Sequence, residues 1–202
     1  MKRLSAITVA LLLCGIAIAY TQRASAQANA GWITLFDGKS LNGWSPIGDA
    51  NWRVEDGAIV TDKGKGYLVS KDAYTDYEIR AEFWVSDDAN SGVFIRCSDP
   101  TKINAENAYE VNIFDQRPDP TYGTGAIVNV AKVVPMPKAG GKWNDYDIVA
   151  RGPRFTITLD GKRTVNGAVD YKHASGWIAL QYTKGVVEGG VVKFRKVEIK
   201  TL

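Results

Sequence analysis

Along most of the chain, apolar residues recur at every second position. Tyr77, Ile79, Ala81, Phe83 and Val85 alternate with Glu78, Arg80, Glu82 and Trp84, the period of a β-strand that buries one face. Trp52–Thr61 holds two short apolar runs around Glu55-Asp56-Gly57, a hairpin pattern. Tyr67–Ser70, Val93–Cys97, Tyr109–Phe114, Gly125–Val134, Tyr146–Ala150, Phe155–Leu159, Gly176–Tyr182 and Val191–Ile199 continue the series, with Asp160-Gly161 as a further tight turn. No window sustains a helical period, and Lys102–Ala108 is the best candidate for one or two helical turns. Prolines 100, 118, 120, 135, 137 and 153 fall between the runs, where a missing N–H breaks no ladder. About a dozen short strands at this spacing predict an all-β fold, a β-sandwich of jelly-roll type.

The first residues have a different pattern. Lys2 and Arg3 precede an apolar run from Leu4 to Ala19, and Ala24-Ser25-Ala26 supplies a signal-peptidase site before Gln27. The run is short for a membrane span. A lipid anchor at Cys14 is disfavoured by Leu13, where a small residue is expected. Residues 1–26 are therefore expected to be a signal peptide and 27–202 one exported domain, periplasmic or secreted, with no integral membrane segment. The whole chain carries 25 basic and 22 acidic residues, and removing Lys2, Arg3 and Arg23 leaves a neutral remainder. With no basic run, no electrostatic case for nucleic acid remains. Cys97 is then left without a cysteine partner, and it reads as a small buried residue.

The outer faces of several predicted strands hold chemistry. Opposite the core-facing positions stand Glu82 and Trp84, Phe94 and Arg96, Glu110, Asn112 and Phe114, and Trp177 and Gln181. Aromatic rings cover the C–H face of a sugar while amides, carboxylates and guanidinium groups bond its hydroxyls. A solvated sheet with scattered aromatics has the same pattern, so alternation alone leaves both readings open.

The order of motifs narrows the choice. "LFDGKSLNGW" (35–44), "WRVEDGAIV" (52–60), "YEIRAEFWVSDDANSGVFIR" (77–96), "YEVNIFD" (109–115), "TGAI" (124–127), "KWNDYDIVARG" (142–152), "LDGK" (159–162), "GWIALQ" (176–181) and "VKFRKVEIK" (192–200) succeed one another. This series resembles the DUF1080 family, the 3-keto-disaccharide (3-keto-glycoside) hydrolase domain. The resemblance implies a concanavalin A-like jelly roll whose concave sheet binds carbohydrate, with no cofactor indicated. Ca²⁺ or Mn²⁺ on Glu82, Glu110 and Asp115 is a conceivable exception, although no dense acidic loop signals one. Its matching positions here are Asn90-Ser91-Gly92, read as a turn, then Arg96, Glu110, Asp115, Glu82, Trp143, Asn144, Leu180, Gln181, Phe194 and Arg195. The chain departs from the family pattern at Trp84, Asn112 and Lys196, and has Tyr182-Thr183-Lys184 where a histidine often follows Leu-Gln.

A C3 ketone acidifies the C2 proton, so its loss as an enolate can expel the C1 substituent, and water addition completes a net hydrolysis. For this chemistry Glu110 is the expected leading base or acid, with Glu82 as its partner. Arg96 and Arg195 are expected to stabilise the enolate oxygen or to orient a carboxylate, and Gln181 and Asn112 to hold hydroxyls. Trp84, Phe94, Asp115, Trp177 and Lys184 complete the candidate substrate contacts. Three structural alternatives stay open: a cross-strand ion pair of Glu110 with Arg96, a turn cap for Asp115, and a solvated loop position for His173 instead of proton transfer. The competing function is a non-catalytic carbohydrate-binding module of the cell envelope.

Overall fold

The computed structural model describes residues 31–183 and 190–202. The expected signal segment, residues 1–26, and Lys184 lie outside the described residues. Among the described residues thirteen strands form two antiparallel sheets, with one short 3-10 turn at Pro120–Tyr122. The larger sheet is built from β1 (Trp32–Phe36), β3 (Arg53–Glu55), β4 (Ala58–Thr61), β6 (Tyr77–Val85), β9 (Trp143–Arg151), β10 (Arg154–Leu159), β11 (Lys162–Val169) and β13 (Val192–Thr201). Its order is β11-β10-β9-β6-β13-β4-β3, with β1 also on β13. The smaller sheet contains β2 (Trp44–Gly48), β5 (Gly66–Tyr74), β7 (Asn90–Cys97), β8 (Tyr109–Ile113) and β12 (Gly176–Thr183), in the order β2-β5-β12-β7-β8. This is the predicted jelly-roll sandwich.

Alternation explains the core. Ile79, Phe83, Tyr146, Ile148, Phe155, Ile157, Phe194 and Ile199 of the larger sheet meet Leu68, Val93, Ile95, Val111, Ile113, Ile178 and Leu180 of the smaller one, all buried. Each such side chain contributes about 1.5–3 kcal/mol of apolar burial. Both hairpin turns are mirror-image turns, with Asp56 (φ 49°) and Gly57 (φ 76°) joining β3 to β4, and Asp160 (φ 49°) and Gly161 (φ 73°) joining β10 to β11. Pro46 sits in β2, an edge strand, where its missing N–H costs no ladder bond.

Three local expectations are corrected, and one strand is added. Lys102–Ala108 is not helical: Asn107 Oδ1 accepts the Asn104 N–H, and Asn104 Oδ1 accepts those of Glu106 and Asn107. Side-chain acceptors thus take the donors a helix would use. Gly125–Val134 is not a strand. Gly125–Val128 bonds along the edge of β8, and the chain then turns at Asn129, whose φ is 61°. Asn90-Ser91-Gly92 is strand, not turn, because all three pair with Asn112, Ile113 or β12. β11 carries no alternation that the sequence reveals, since it is a largely exposed edge strand.

Candidate functional site

The smaller sheet has an outer face made by the residues that alternate with its core positions. Register places Glu110, Phe94, Ala179 and Val69 in one row across β8, β7, β12 and β5. The next row is Asn112, Gly92, Gln181, Tyr67 and Ile47. Gly92 is the bare floor between them: a Cβ there would lie 3.4 Å from Glu110 Cγ and 3.6 Å from Gln181 Oε1.

Glu110 is 9% exposed, and among the described residues no group hydrogen-bonds its carboxyl. Burial disfavours its charged form and pushes its pKa up to about 7, while the Arg117 guanidinium pulls weakly the other way. Gln181 Oε1 and Asn112 Oδ1, one on each side of Gly92, are buried without a hydrogen-bond partner. Each such orphan costs about 1–3 kcal/mol unless something donates to it. Tyr67 follows Gln181 in the row. Burial raises its phenol pKa, with the Gln181 amide opposing and the Glu110 charge adding. Its ring stands edge-on to Phe94 at 5.2 Å. A carboxyl poised near neutrality, two acceptors awaiting donors and a phenol thus converge on one bare patch of backbone.

The other expected site residues are placed as follows. Phe94 is buried under Ile103 and props Tyr67, so it offers no open platform. Asn112 is sealed by the segment after β8, its Nδ2 donating to Tyr122 O, which leaves only Oδ1 free. Trp177 is half-buried on the same outer face. Asp115 is consumed by structure: it accepts from Thr124 Oγ1 and from the N–H groups of Ala139 and Gly140.

Arg96 overturns its expectation. One residue separates Trp177 from Ala179 on β12, but two, Ile95 and Arg96, separate their β7 partners. That extra residue is a β-bulge, and Arg96 occupies it with φ at 52°. The bulge swings its side chain off the Phe94 face and into one end of the sandwich. There it is 1% exposed and donates to Thr75 O, Gly152 O, His173 O and Asp76 Oδ1. It also lies 5.2 Å over the Phe155 ring. It neither pairs with Glu110 nor faces it. His173 belongs to the same end, its ring against Tyr109 and its Nε2 bonded to Glu106 O. Tyr109 points inward, so this cluster and Glu110 occupy opposite sides of β8.

Glu82, Trp84 and Arg195 lie on the outer face of the larger sheet, across the core from Glu110. Arg195 bonds Glu82 and lies 4.2 Å over the Trp143 ring, while Lys193 lies 5.1 Å over Trp84. Sequence alternation identifies an outer face but not which sheet owns it, and so it merged two faces into one. The same separation means that Glu82, Glu110 and Asp115 do not converge on a cation. Alternation with the core residue Leu68 marks Tyr67 as outward-facing, whereas no pattern in the sequence marks Arg117. Cys97 is buried, and burial pushes its thiol up to about 12, a packing residue.

Residues 31–200 match the family model of the 3-keto-alpha-glucoside-1,2-lyase-like domain. The chain belongs to that family. It is 27% identical over 151 residues to a 3-keto-disaccharide hydrolase of Bacteroides thetaiotaomicron, an alignment covering 59% of this chain and 52% of that protein. The chain therefore spans about half the length of the curated relative it matches. Among solved structures, a protein of Parabacteroides distasonis provisionally assigned as a glycosyl hydrolase superposes with TM-score 0.70 at 24% identity, covering 85% of this chain and 99% of that one. The carbohydrate-binding module CBM66 of Bacillus subtilis superposes with TM-score 0.59 at 18% identity, covering 79% and 96%. These two likenesses are of fold. The family match and the curated relative, not these likenesses, point to a carbohydrate-active protein like the 3-keto-disaccharide hydrolases.

Proposed function

We propose that this member of the 3-keto-alpha-glucoside-1,2-lyase-like family is an exported enzyme that cleaves 3-keto-glycosides, with Glu110 as its acid–base group. The observation that carries the reading is the Glu110 carboxyl, buried and unpaired beside the Gly92 floor with its pKa near 7. A group titrating near the working pH is the most effective proton carrier. Glu110 in its carboxylate form removes the C2 proton made acidic by the C3 ketone. The electron pair moves into the ketone as an enolate, and its return expels the C1 oxygen substituent. That substituent leaves as an alcohol after taking up a proton, and water adds across the resulting enone. The net reaction consumes one water and releases the 3-keto sugar and the alcohol.

Tyr67 and the Gln181 amide are the donors on this face available to the enolate oxygen. Gln181 Oε1 accepts a sugar hydroxyl, which relieves its unpaired state. Arg96 and Arg195 take no part, since one is buried at the sandwich end and the other lies across the core.

The test is release of the alcohol from a 3-keto-glucoside by wild type and by Glu110→Gln. Loss of turnover in the variant with retained binding is expected. Undiminished turnover would remove Glu110 from the mechanism, and binding of ordinary glucans with no turnover in wild type would replace the enzyme by a binding module.

A further inference from the structure

A cleft of about 510 Å³ opens on the same outer face, beside the Glu110 site and apart from it. Val69 of β5 forms its floor. Pro46 and Ile47 of the edge strand β2 form one wall, and Trp177 of β12 with Pro100 of the loop after β7 forms the other. Ser45, Thr101 and Lys71 put two hydroxyls and an ammonium at its rim. This size, an apolar lining and a few polar groups are the composition of small-ligand sites.

Position ties the cleft to the reaction. The row that begins at Glu110 ends at Val69 and Ser45, and Ile47 ends the row that begins at Asn112 and passes through Gly92, Gln181 and Tyr67. Two strand spacings, roughly 10 Å, separate Gly92 on β7 from β5. A ligand whose reactive ring lies over Gly92 therefore reaches the cleft only with its far part. Trp177 is also distinct from the outward tryptophans of the other sheet. Lys193 and Arg195 already cover Trp84 and Trp143, whereas among the described residues no cation is stacked on Trp177.

Resting on the reading of Glu110 as the reacting centre, we infer that this cleft holds the leaving group, and that Trp177 selects glycosides whose leaving group carries a ring with a flat apolar face. A second sugar and an aryl group share that chemistry, and small alkyl leaving groups lack it. Stacking on Trp177 also holds the C1 oxygen in line while the C2 proton is removed.

The experiment compares wild type and Trp177→Ala on 3-keto derivatives of methyl glucoside, 4-nitrophenyl glucoside and a glucosyl-glucose disaccharide. The expected result is a ten- to hundredfold fall in kcat/KM for the two ring-bearing substrates and less than twofold for the methyl glycoside. A fall on only one of the two identifies the source of the ring. An equal loss on all three, or none on any, overturns the inference while leaving Glu110 in place. Because Trp177 also contacts the Phe94–Val69 cluster, Ser45→Trp provides a second variant, filling the cleft from an exposed edge position, and the same selective loss is expected. Binding is read separately, by titrating wild type with unmodified 4-nitrophenyl glucoside and following the Trp177 indole N–H, assigned with Trp177→Phe. A saturable shift of that resonance supports the cleft even if no 3-keto substrate turns over, a result that removes the proposed activity alone. Saturable binding elsewhere, or no shift at all, overturns the cleft.

Discussion

Replacing Glu110 by Gln should stabilise the protein while disabling it. The carboxyl is raised from an ordinary 4.5 to about 7 by burial. At about 1.36 kcal/mol for each tenfold change in proton affinity, ionising it inside the folded chain costs about 3 kcal/mol more than in the unfolded chain. The sign follows from proton counts. Between pH 4.5 and 7 the folded state holds a proton that the unfolded state has released, so stability falls as pH rises through that window. Gln cannot ionise and has nearly the same shape. Its advantage over Glu should be near zero at pH 4 and reach about 3 kcal/mol by pH 8.5, which for a domain of this size is roughly 6–12 °C in Tm. Urea unfolding of both proteins at the two pH values measures it, and groups common to both cancel in the difference. Turnover should fall about 10²–10⁴-fold in the same variant. An advantage that does not change with pH would refute the claim that Glu110 is desolvated and unpaired.

Three further outcomes follow from the same geometry. Arg96→Met should cost about 1–3 kcal/mol in denaturant unfolding, because the part-buried carbonyls of Thr75, Gly152 and His173 and the Asp76 carboxylate lose their donor, yet leave kcat of the folded fraction within about threefold. Gly92→Val should cut kcat/KM more than about tenfold, because the new side chain stands between Glu110 Cγ and Gln181 Oε1 on the floor of the site. Since Arg117 lowers the Glu110 pKa, Arg117→Ala should move the acidic limb of the pH–rate profile upward by a fraction of a pH unit. Added salt should shift the wild-type limb in the same direction by screening that attraction.

Strand positions were legible because period-two alternation survives wherever one face is buried, as in Tyr77–Val85, where every core residue falls on the expected side. Glu110 and Gln181 were legible for the same reason, as each alternates with core neighbours on β8 and β12. The misreadings have two physical sources. Arg96 was assigned to the Glu110 face by counting from Val93, and a one-residue bulge reverses every side chain after it. Nothing in "NSGVFIRC" marks that bulge, because it is imposed by Thr75, Asp76, Gly152 and His173, which are remote in sequence. Glu82 and Glu110 were joined because alternation reports inside or outside for each strand separately. Sheet membership depends on which strands pair: β6 lies between β9 and β13, whereas β8 pairs only with β7 among the named strands. The role of Gly92 was hidden for a related reason, since a residue without a side chain shows its use only through what leans over it.

The two outer faces also argue for where the chemistry lies. On the larger sheet, Glu82 is matched by Arg195 and Glu78 by Arg80, and the two outward tryptophans lie under cations. Such exposed pairs contribute at most about 1 kcal/mol each, and the raised carboxyl of that face, Asp147, owes its shift to burial and to the neighbouring Glu78 charge. On the smaller sheet burial alone raises the carboxyl: Glu110, which costs about 3 kcal/mol to ionise, stands beside two buried carbonyl oxygens without donors. A surface that only binds sugar has no use for that carboxyl, since a paired or exposed one accepts a hydroxyl equally well. Proton transfer does require it, because a carboxylate already stabilised by an arginine is a poor base at neutral pH. The displacement of Arg96 away from this face is thus part of the site: had alternation held, its guanidinium would sit beside Glu110 and return that carboxyl to its ordinary range.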